Sequence, residues 1–414
     1  MYLRYKTNKL KIINDPVYGF INIPSEFHFD LIQHPYFQRL RRIKQLGLTH
    51  YVYPGATHTR FDHVLGAMHL ITIALRELER KGQKITSEEK EAVITAILMH
   101  DIGHGPLSHS LENSFSFKTS HEDISLIFMK ELNKEFSGRL SLAIEIFKNN
   151  YQKKFLHDLV SSQLDTDRLD YLKRDSFFTG VTEGGIGTDR IIKMMKVVND
   201  ELAVEEKGIY SVEQFIVARR IMYWQVYFHK TVLASEVMMK KALERAKEIY
   251  NQKGIFSTSA LAFFLNKKNE STTVKNSEEF PIKEFALLDD SDITVSLKEW
   301  MNCNDIVLSL LSRSLINRDL FRIQISDKEF HSEKIKVLKS KIIDKFKISE
   351  HEASYLVFSD KIINRAYSTE NDSRISILMK SGHVSDIVNA SDLKNIQALS
   401  ESVEKYFLCY PKVI

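Results

Sequence analysis

A histidine and an aspartate stand side by side where an apolar segment of the chain ends. Residues 96–99 are apolar, His100 and Asp101 follow them, and Gly103 interrupts the helical pattern. Imidazole and carboxylate groups are ligands for divalent cations such as Mn, Mg, Fe, Zn or Ni. The alternative interpretation is a polar pair that caps a helix at the surface. An apolar helix rarely ends this way for packing alone, so the pattern favours a metal-dependent hydrolase.

Two more residues complete a candidate metal site with His100 and Asp101. His63 precedes the amphipathic segment 64–80, and Asp167 lies in the polar helical segment 165–175. Four protein ligands from three helices leave coordination positions for water and for a phosphate oxygen.

Further histidines and a carboxylate follow the glycine break and could transfer protons. His109 and Glu112 are three residues apart, on one face of a predicted helix, and His104 and His121 flank them. A histidine beside a carboxylate is suited to proton transfer near neutral pH. A hydrogen-bond network at the start of a helix would show the same pattern, and the residues alone do not separate the two.

Phosphate recognition requires cations, and several arginines and lysines are candidates. Guanidinium groups offer paired contacts to phosphate oxygens, although a single arginine usually lies on a solvated face. The segment 219–230 combines Arg219, Arg220 and Lys230 with aromatic residues, which could equally be core residues. Arg60 and Arg168 lie close to the candidate metal ligands, and Tyr171 could stack on a sugar or donate a hydrogen bond to it.

Composition limits the class of protein. The 414 residues carry 58 basic and 54 acidic side chains, a net charge of +4, which gives no strong argument for a nucleic-acid partner. Two cysteines, Cys303 and Cys409, cannot form a disulfide framework and favour a reducing compartment. The first residues show no signal peptide, and no stretch of 18 apolar residues occurs. We therefore expect a soluble cytoplasmic protein without a membrane partner.

The periodicity predicts a mainly α protein with two regions. Residues 1–25 indicate a short extended element, and helices are predicted at 27–46, at 64–80, from an N-cap at Ser87 to the His-Asp pair, and at 122–133, 140–148, 155–174, 188–198 and 212–250. A polar stretch at 265–278 is predicted to be a loop. Strands are predicted at 320–325 and 405–410, with a hairpin over 375–388. We expect a helical core over 1–260 and a smaller α+β region over 261–414 with an oligomerisation or regulatory role.

These motifs resemble the HD superfamily of metal-dependent phosphohydrolases, whose signature is His…His-Asp…Asp. His63, His100, Asp101 and Asp167 match that signature. The runs 11–16, 37–47, 54–63, 101–109 and 167–175 are similar to the deoxynucleoside triphosphate (dNTP) triphosphohydrolases, including the catalytic core of the animal SAM- and HD-domain enzymes and their bacterial homologues. The resemblance covers about residues 8–325. It implies a helical HD-domain core, a bound divalent metal, and attack of water on the α-phosphorus to give a deoxynucleoside and inorganic triphosphate.

The resemblance also implies roles for individual residues. His104, His109, Glu112 and His121 match catalytic positions, with Glu112 standing where the family has an aspartate. The positions that match phosphate contacts are Arg60, Arg168, Arg219 and Lys230, and those that match contacts to the deoxyribose are Gln45, Leu46, Tyr171, Asp175 and Tyr227.

Regulation by a nucleotide at an interface between subunits is a further implication, with a dimer or tetramer expected. The matching positions are Lys11, Asn14, Gln38, Arg41, Arg190, Arg318 and Arg322. Gln33 stands where an aspartate reads guanine in the animal enzyme, and Phe20 replaces a histidine, which argues against a guanine-specific activator.

Two other functions fit parts of the pattern. One is an HD-type phosphodiesterase or nucleotidase that acts on mono- or cyclic nucleotides. The other is a nucleotide-sensing or single-strand-binding module, for which we would expect the metal ligands to be lost. The residues beyond the metal site, such as Arg168 and Asp175, favour a triphosphate substrate.

Overall fold

The computed structural model describes residues 11–107, 120–266, 280–368, 374–393 and 395–412. Its first element is a hairpin of two antiparallel strands, β1 (Ile12–Asp15) and β2 (Gly19–Asn22). The carboxylate of Asp15 accepts the backbone N–H groups of Val17 and Tyr18, each at 2.9 Å, and so closes the turn. The extended element predicted for residues 1–25 is confirmed over the described residues.

Helices dominate the first two thirds of the described chain, as the sequence predicts. In chain order they are α1 Glu26–Gln33, α2 Pro35–Gln38, α3 Arg60–Arg80, α4 Ser87–Met99, α5 His121–Glu135, α6 Ser141–Phe147, α7 Lys154–Asp158, α8 Thr166–Thr179, α9 Thr188–Met194, α10 Ile209–Met222, α11 Lys230–Lys253 and α12 Ser259–Leu265. The later helices are α13 Ile282–Leu287, α14 Asp290–Trp300, α15 Ile306–Ile316, α16 Ser332–Phe346, α17 Glu350–Ala353, α18 Ile387–Ala390 and α19 Asn395–Ala398.

Four predicted helices differ from the structure. The segment 27–46 is not continuous, because Pro35 starts a new short helix after an extended His34, and a 3₁₀ turn Arg39–Arg42 follows. The segment 155–174 is split between α7 and α8, since Asp165 caps a new helix. The end of 188–198 is a strand. The segment 212–250 is interrupted by a π-helix, Tyr223–Tyr227, and by His229, which caps α11.

The helix that ends in the His-Asp pair begins one residue earlier than predicted. Thr86, rather than Ser87, is the N-cap: its hydroxyl accepts from the backbone N–H of Glu89, and the Glu89 carboxylate accepts from that of Thr86. The whole stretch from Ala92 to Met99 is buried. The Thr86 cap therefore fixes where this helix begins, and its buried residues hold it in the core as far as Met99.

Seven further strands form two small sheets: β3 Met195–Val198, β4 Glu201–Glu205, β5 Arg322–Ser326, β6 Phe358–Asn364, β7 Ser376–Leu378, β8 Val384–Asp386 and β9 Val403–Tyr410. One sheet has the order β3-β4-β7-β8, in which β4 and β7 are parallel and the other neighbours are antiparallel. The other is antiparallel with the order β5-β9-β6. The strands predicted in the C-terminal region are confirmed. The domain boundary at residue 260 stays a prediction, and β4 and β7 pair across it.

The core that positions the candidate site is built on α3. This helix packs against both α4 and α8, and its buried face includes Val64, Met68 and Ile71. Because His63 lies in the first turn of α3, the ends of three packed helices meet beside it. Among the described residues, none of the helices combines the length and the apolar character that a membrane span requires.

Candidate metal centre and active site

Three helix ends bring together the four residues predicted as metal ligands. His63 lies in the first turn of α3, His100 caps the end of α4 with Asp101 after it, and Asp167 lies in the first turn of α8. Nε2 of His63 lies 3.0 Å from an Asp167 carboxylate oxygen, and Nε2 of His100 lies 3.4 Å from the same oxygen. Nε2 of His100 is also 3.3 Å from Asp101 Oδ1. These side chains converge as metal ligands do.

Both histidines present Nε2 to the centre because Nδ1 is engaged elsewhere. Nδ1 of His100 donates to the backbone carbonyl of Ile97 at 2.6 Å, and Nδ1 of His63 lies 2.8 Å from Asp170 Oδ2. The two Nε2 atoms are buried and make no hydrogen bond within the described chain. Buried polar atoms are normally satisfied, so this arrangement fits a bound cation that takes both lone pairs.

The charges of the centre favour a cation. Burial alone would lower the pKa of His63, but Asp167 and Asp170 raise it to about 10. Burial opposes ionisation of Asp167 too, yet His100 and His63 hold the pKa of its carboxyl far below the usual range. The carboxylates thus stay ionised in a buried pocket and attract positive charge, which protons or a divalent metal can supply.

A second group of residues adjoins the centre through Asp101. Nε2 of His104 lies 3.3 Å from Asp101 Oδ1, and the rings of His104 and His121 stack at 3.9 Å. Gly103 allows this approach, since a Cβ there would lie 2.8 Å from the Ser125 hydroxyl on α5. The other two predicted catalytic residues, His109 and Glu112, lie outside the described residues.

Three residues predicted to contact the sugar form one group, which begins beside the predicted metal ligand His63. The Tyr171 ring is 6.4 Å from the rings of both His63 and Tyr227. Burial raises the pKa of Tyr227 well above its usual value, so its hydroxyl keeps its proton and donates to Asp175 Oδ2 at 2.8 Å. His58 Nε2 lies 2.8 Å from the other oxygen of Asp175. Sequence reasoning assigned no role to His58, although it stands five residues before His63 in a run that resembles the family.

The predicted phosphate-contacting arginines are each held by a polar partner. Arg60 forms an ion pair with Asp101, and Arg168 forms one with Asp165. Arg219 Nη1 donates to Gln163 Oε1 at 2.8 Å. These partners orient the guanidinium groups within the site.

The remaining predicted substrate residues are less closely tied to the centre. Gln45 has a buried side-chain oxygen without a hydrogen bond in the described chain, and Leu46 is half-buried against the core. Lys230 is exposed at the start of α11.

The predicted regulatory residues fall into separate groups. Arg41 Nε donates to Gln38 Oε1 at 2.9 Å, which brings these two together. Asn14 is exposed on β1, and the Lys11 ammonium group lies 5.4 Å from the ring centre of Phe29. The other three make contacts elsewhere or lie on another element: Arg190 donates to the Lys207 carbonyl, Arg318 donates to the Tyr51 carbonyl, and Arg322 is the first residue of β5.

Comparison with known proteins identifies the family. The HD domain matches residues 60–175, and the HD associated region matches residues 186–262. The chain is 34% identical to the uncharacterised protein YwfO of Bacillus subtilis over 78% of this chain and 73% of that protein. It is 29% identical to the human deoxynucleoside triphosphate triphosphohydrolase SAMHD1, over 58% of this chain and 45% of that protein.

A solved structure agrees over nearly the whole chain. A phosphohydrolase of Bacteroides thetaiotaomicron is 50% identical and superposes with a TM-score of 0.91, covering 98% of this chain and 100% of that one. The chain spans only about half the length of the SAMHD1 proteins that it matches. The matched HD domain begins at Arg60, ends at Asp175 and contains all four residues predicted as metal ligands. The chain therefore belongs to the HD superfamily of phosphohydrolases.

Proposed function

We propose that this phosphohydrolase is a metal-dependent dNTP triphosphohydrolase. Water attacks the α-phosphorus, the bond to the 5′ oxygen breaks, and a deoxynucleoside and inorganic triphosphate are released. The observation that carries the proposal is a group of three side chains able to hydrogen-bond a sugar: the Tyr171 ring lies 6.4 Å from the rings of the candidate ligand His63 and of Tyr227, and Tyr227 donates to Asp175. The named activity of the human relative supports the same reaction.

The residues present fit a divalent metal. His63, His100, Asp101 and Asp167 would hold it, and when bound it offsets phosphate charge and lowers the pKa of bound water. Buried ligand nitrogens without hydrogen bonds and ionised carboxylates are the features that support this assignment. We include Mn, Mg, Fe, Zn and Ni among the candidates.

Proton transfer and phosphate binding fall to the residues around the ligands. His104 and His121 lie next to Asp101, where they can exchange a proton with the attacking water or the leaving oxygen. Arg168 and Arg219 supply positive charge for the phosphates, and Asp165 and Gln163 hold these side chains in place. His109 and Glu112 keep their proposed catalytic roles from the family pattern.

The sugar pocket favours a deoxyribose. Asp175 uses one oxygen for His58 and the other for Tyr227, and each oxygen keeps a lone pair for a sugar hydroxyl. The Tyr171 ring packs close to the site, and a ring at this position excludes a 2′-hydroxyl by contact. We therefore expect dNTPs to be cleaved in preference to ribonucleotides. Gln45, Leu46 and Lys230 complete the proposed substrate contacts.

Product analysis tests the reaction. The protein is incubated with each dNTP or NTP and Mn²⁺ in ¹⁸O-labelled water, and the products are separated by ion exchange and weighed by mass spectrometry. We expect intact triphosphate that carries the label, together with unlabelled deoxynucleoside. Pyrophosphate or orthophosphate as the first product would contradict the proposal, and hydrolysis of mono- or cyclic nucleotides alone would instead identify a nucleotidase or phosphodiesterase.

A matched pair of variants links this activity to the centre. Asp167→Asn removes a ligand charge and is expected to lower turnover by at least about 100-fold. Asp344→Asn makes the same chemical change at an exposed carboxylate on α16 and is expected to leave turnover unaltered. Full activity in Asp167→Asn would refute the ligand assignment.

Regulation and assembly are a second part of the proposal. We propose that a nucleotide bound near Lys11, Asn14, Gln38 and Arg41 of one subunit, with Arg190, Arg318 and Arg322 contributed across an interface, promotes a homodimer or homotetramer. Mass photometry with and without added nucleotides tests this. A monomer under every condition, with full activity, would contradict it.

A further inference from the structure

A chain of buried charged groups runs from the metal ligand His63 to the N-terminal hairpin. Nδ1 of His63 lies 2.8 Å from Asp170 Oδ2. Both oxygens of Asp170 accept from Arg174, at 2.9 Å from Nε and 3.0 Å from Nη2. The remaining nitrogen of Arg174, Nη1, donates to Asp15 Oδ2 at 2.7 Å. Four side chains thus connect β1 to the centre without a break.

These groups lie where charge is costly. His63, Asp170 and Arg174 are each 0% exposed, and Asp15 is 8% exposed. Burying ionised groups costs several kcal/mol per ion, and a well-packed apolar set of the same volume is often at least as stable. Stability alone is therefore a poor explanation for these four buried charged groups. A requirement for orientation explains them better, because each side chain fixes the direction of the next.

The surrounding backbone leaves room for these charged side chains. Gly66 lies one turn after His63 on α3, and a Cβ at this position would lie 2.7 Å from Cγ of Asp170. Only glycine lets α8 place Asp170 and Arg174 against α3. At the far end, Asp15 uses its other oxygen to accept Val17 and Tyr18 N–H groups, so the turn fixes the carboxylate that faces Arg174.

We propose that Asp170, Arg174 and Asp15 are positioning residues for the metal centre, and that the hairpin contributes to metal affinity through them. Asp170 holds the His63 ring so that Nε2 faces the metal, Arg174 holds Asp170, and Asp15 holds Arg174. Hydrogen-bond partners of ligating histidines commonly change metal affinity 10- to 100-fold. The inference rests on the metal dependence in the proposed function, but not on the identity of the nucleotide.

Metal binding to the whole protein tests the proposal. Mn²⁺ affinity is measured by electron paramagnetic resonance without nucleotide, on samples whose fold is verified by circular dichroism. Asp170→Asn is expected to weaken Mn²⁺ binding about 10-fold. Asp15→Asn keeps an oxygen for the turn but loses its charge toward Arg174, and we expect about 3-fold weaker binding.

Asp305→Asn is the matched control. Asp305 is a buried carboxylate that accepts two hydrogen bonds from Arg245, the same chemistry in a different network. The Asp305→Asn variant should have a lower melting temperature and an unchanged Mn²⁺ affinity. If Asp15→Asn and Asp170→Asn behave like this control, the series of charged side chains is purely structural and the proposal fails. If Asp170→Asn does not fold, Arg174→Lys replaces it, since lysine keeps the charge but cannot hold both Asp170 oxygens and Asp15.

Kinetics separate positioning from catalysis. For Asp15→Asn we expect a higher Mn²⁺ concentration at half-maximal activity and a wild-type kcat at saturating Mn²⁺. A reduced kcat that saturating Mn²⁺ does not restore would overturn the proposal. Because affinity is measured without nucleotide, a protein that binds Mn²⁺ as expected but releases no triphosphate would refute the proposed function and leave this inference standing.

Discussion

His58 shows how one side chain can support a site without touching a metal. Its ring stacks on Phe178 with centroids 4.4 Å apart, and its Nε2 contacts Asp175, which also accepts the Tyr227 hydroxyl. Two partners on one carboxylate fix both of its oxygens. The orientation of the Asp175 carboxylate, and with it the proposed contact to a sugar, therefore depends on His58.

Replacement of His58 is expected to affect nucleotide binding and leave the metal alone. His58→Leu removes the partner of a buried carboxylate oxygen, which costs about 1–3 kcal/mol, so we expect kcat/KM for dNTPs to fall about 10-fold or more. His58→Gln keeps a donor and should lose less. Steady-state kinetics and Mn²⁺ titration check this. Equal losses in both variants would show that the hydrogen bond is unimportant.

His28 is expected to make the fold sensitive to acid. Burial lowers its pKa from 6.5 to about 4, although its hydrogen bond to the Glu91 carbonyl acts in the opposite direction. Below pH 6.5 His28 is protonated in the unfolded chain but stays neutral in the folded chain. Its contribution to the free energy of unfolding is therefore complete above pH 6.5 and is lost as the pH falls toward 4. We expect the free energy of unfolding to fall by about 2 kcal/mol between pH 7 and pH 5.

Urea unfolding at the two pH values measures this loss. His28→Gln has no titratable side chain at this position, and its stability should change less over the same range. An identical pH dependence in the variant and the wild type would exclude His28 as the cause.

At the scale of elements, the π-helix Tyr223–Tyr227 connects the candidate site to the C-terminal sheet. It carries Tyr227, and Arg219 lies in the preceding turn of α10. On the other side of the π-helix, the ring centre of Trp224 lies 5.4 Å from the Arg220 guanidinium carbon and 5.0 Å from the ammonium nitrogen of Lys405 on β9. The β6 residue Asn364 also accepts from Arg220 at 3.2 Å. The sheet therefore supports the segment that carries the proposed substrate contacts Arg219 and Tyr227.

Loss of these sheet contacts should change nucleotide binding from a distance. For Lys405→Met and Asn364→Ala we expect the KM for dNTPs to rise about 3-fold, because each removed contact contributes about 0.5–1 kcal/mol. Lys361→Met, on the same sheet but paired with Glu404 at the surface, is the control and should keep the wild-type KM. Unchanged KM values in all three variants would contradict the supporting role.

Gly66 provides a test of packing between α3 and α8. Gly66→Ala adds one methyl group against Asp170 and should destabilise the protein by about 1–3 kcal/mol, measured by urea unfolding. Gly187→Ala is the control, since a Cβ there would meet nothing closer than 3.8 Å. A smaller loss at Gly66 than at Gly187 would contradict the tight packing.

The sequence could predict most of the elements and the convergence of four candidate metal ligands, but not the contacts that support them. Each candidate ligand stands at the end of a helix whose periodicity is visible locally, so His100 and Asp101 are recognisable as candidates by type and position. Asp15 and Arg174 are 159 residues apart, and only the packed core brings them together. The π-helix was missed because segment 212–250 has an apolar pattern that continues through it, and the change in hydrogen bonding leaves no local signature.

At the scale of the whole molecule, the two predicted regions share a sheet. Strands β3 and β4 lie before residue 260, and β7 and β8 lie after it, yet the four form one sheet. Lys405 on β9 also lies against the π-helix residue Trp224, and Asn364 on β6 accepts a hydrogen bond from Arg220 in the last turn of α10. The α+β region therefore helps to complete the helical region.

A fragment of residues 1–260 tests whether the predicted core is autonomous. Without β7 the backbone groups of one β4 edge lose their partners, and we expect a lower melting temperature and a greater tendency to aggregate than in the whole chain. Light scattering and thermal unfolding measure both. A fragment that is as stable as the whole protein would instead establish an independent domain that ends near residue 260.

The same sheet has a consequence for the order of events during synthesis. Strand β4 ends at Glu205, and its parallel partner β7 begins only at Ser376, so the intervening chain must be translated before this edge can close. Parallel pairing across such a separation is slow, and an open edge can join a neighbouring nascent chain. Helix packing around α3 can proceed meanwhile, which makes sheet closure a late step and the interval before it the period when the open edge of β4 is most exposed to aggregation.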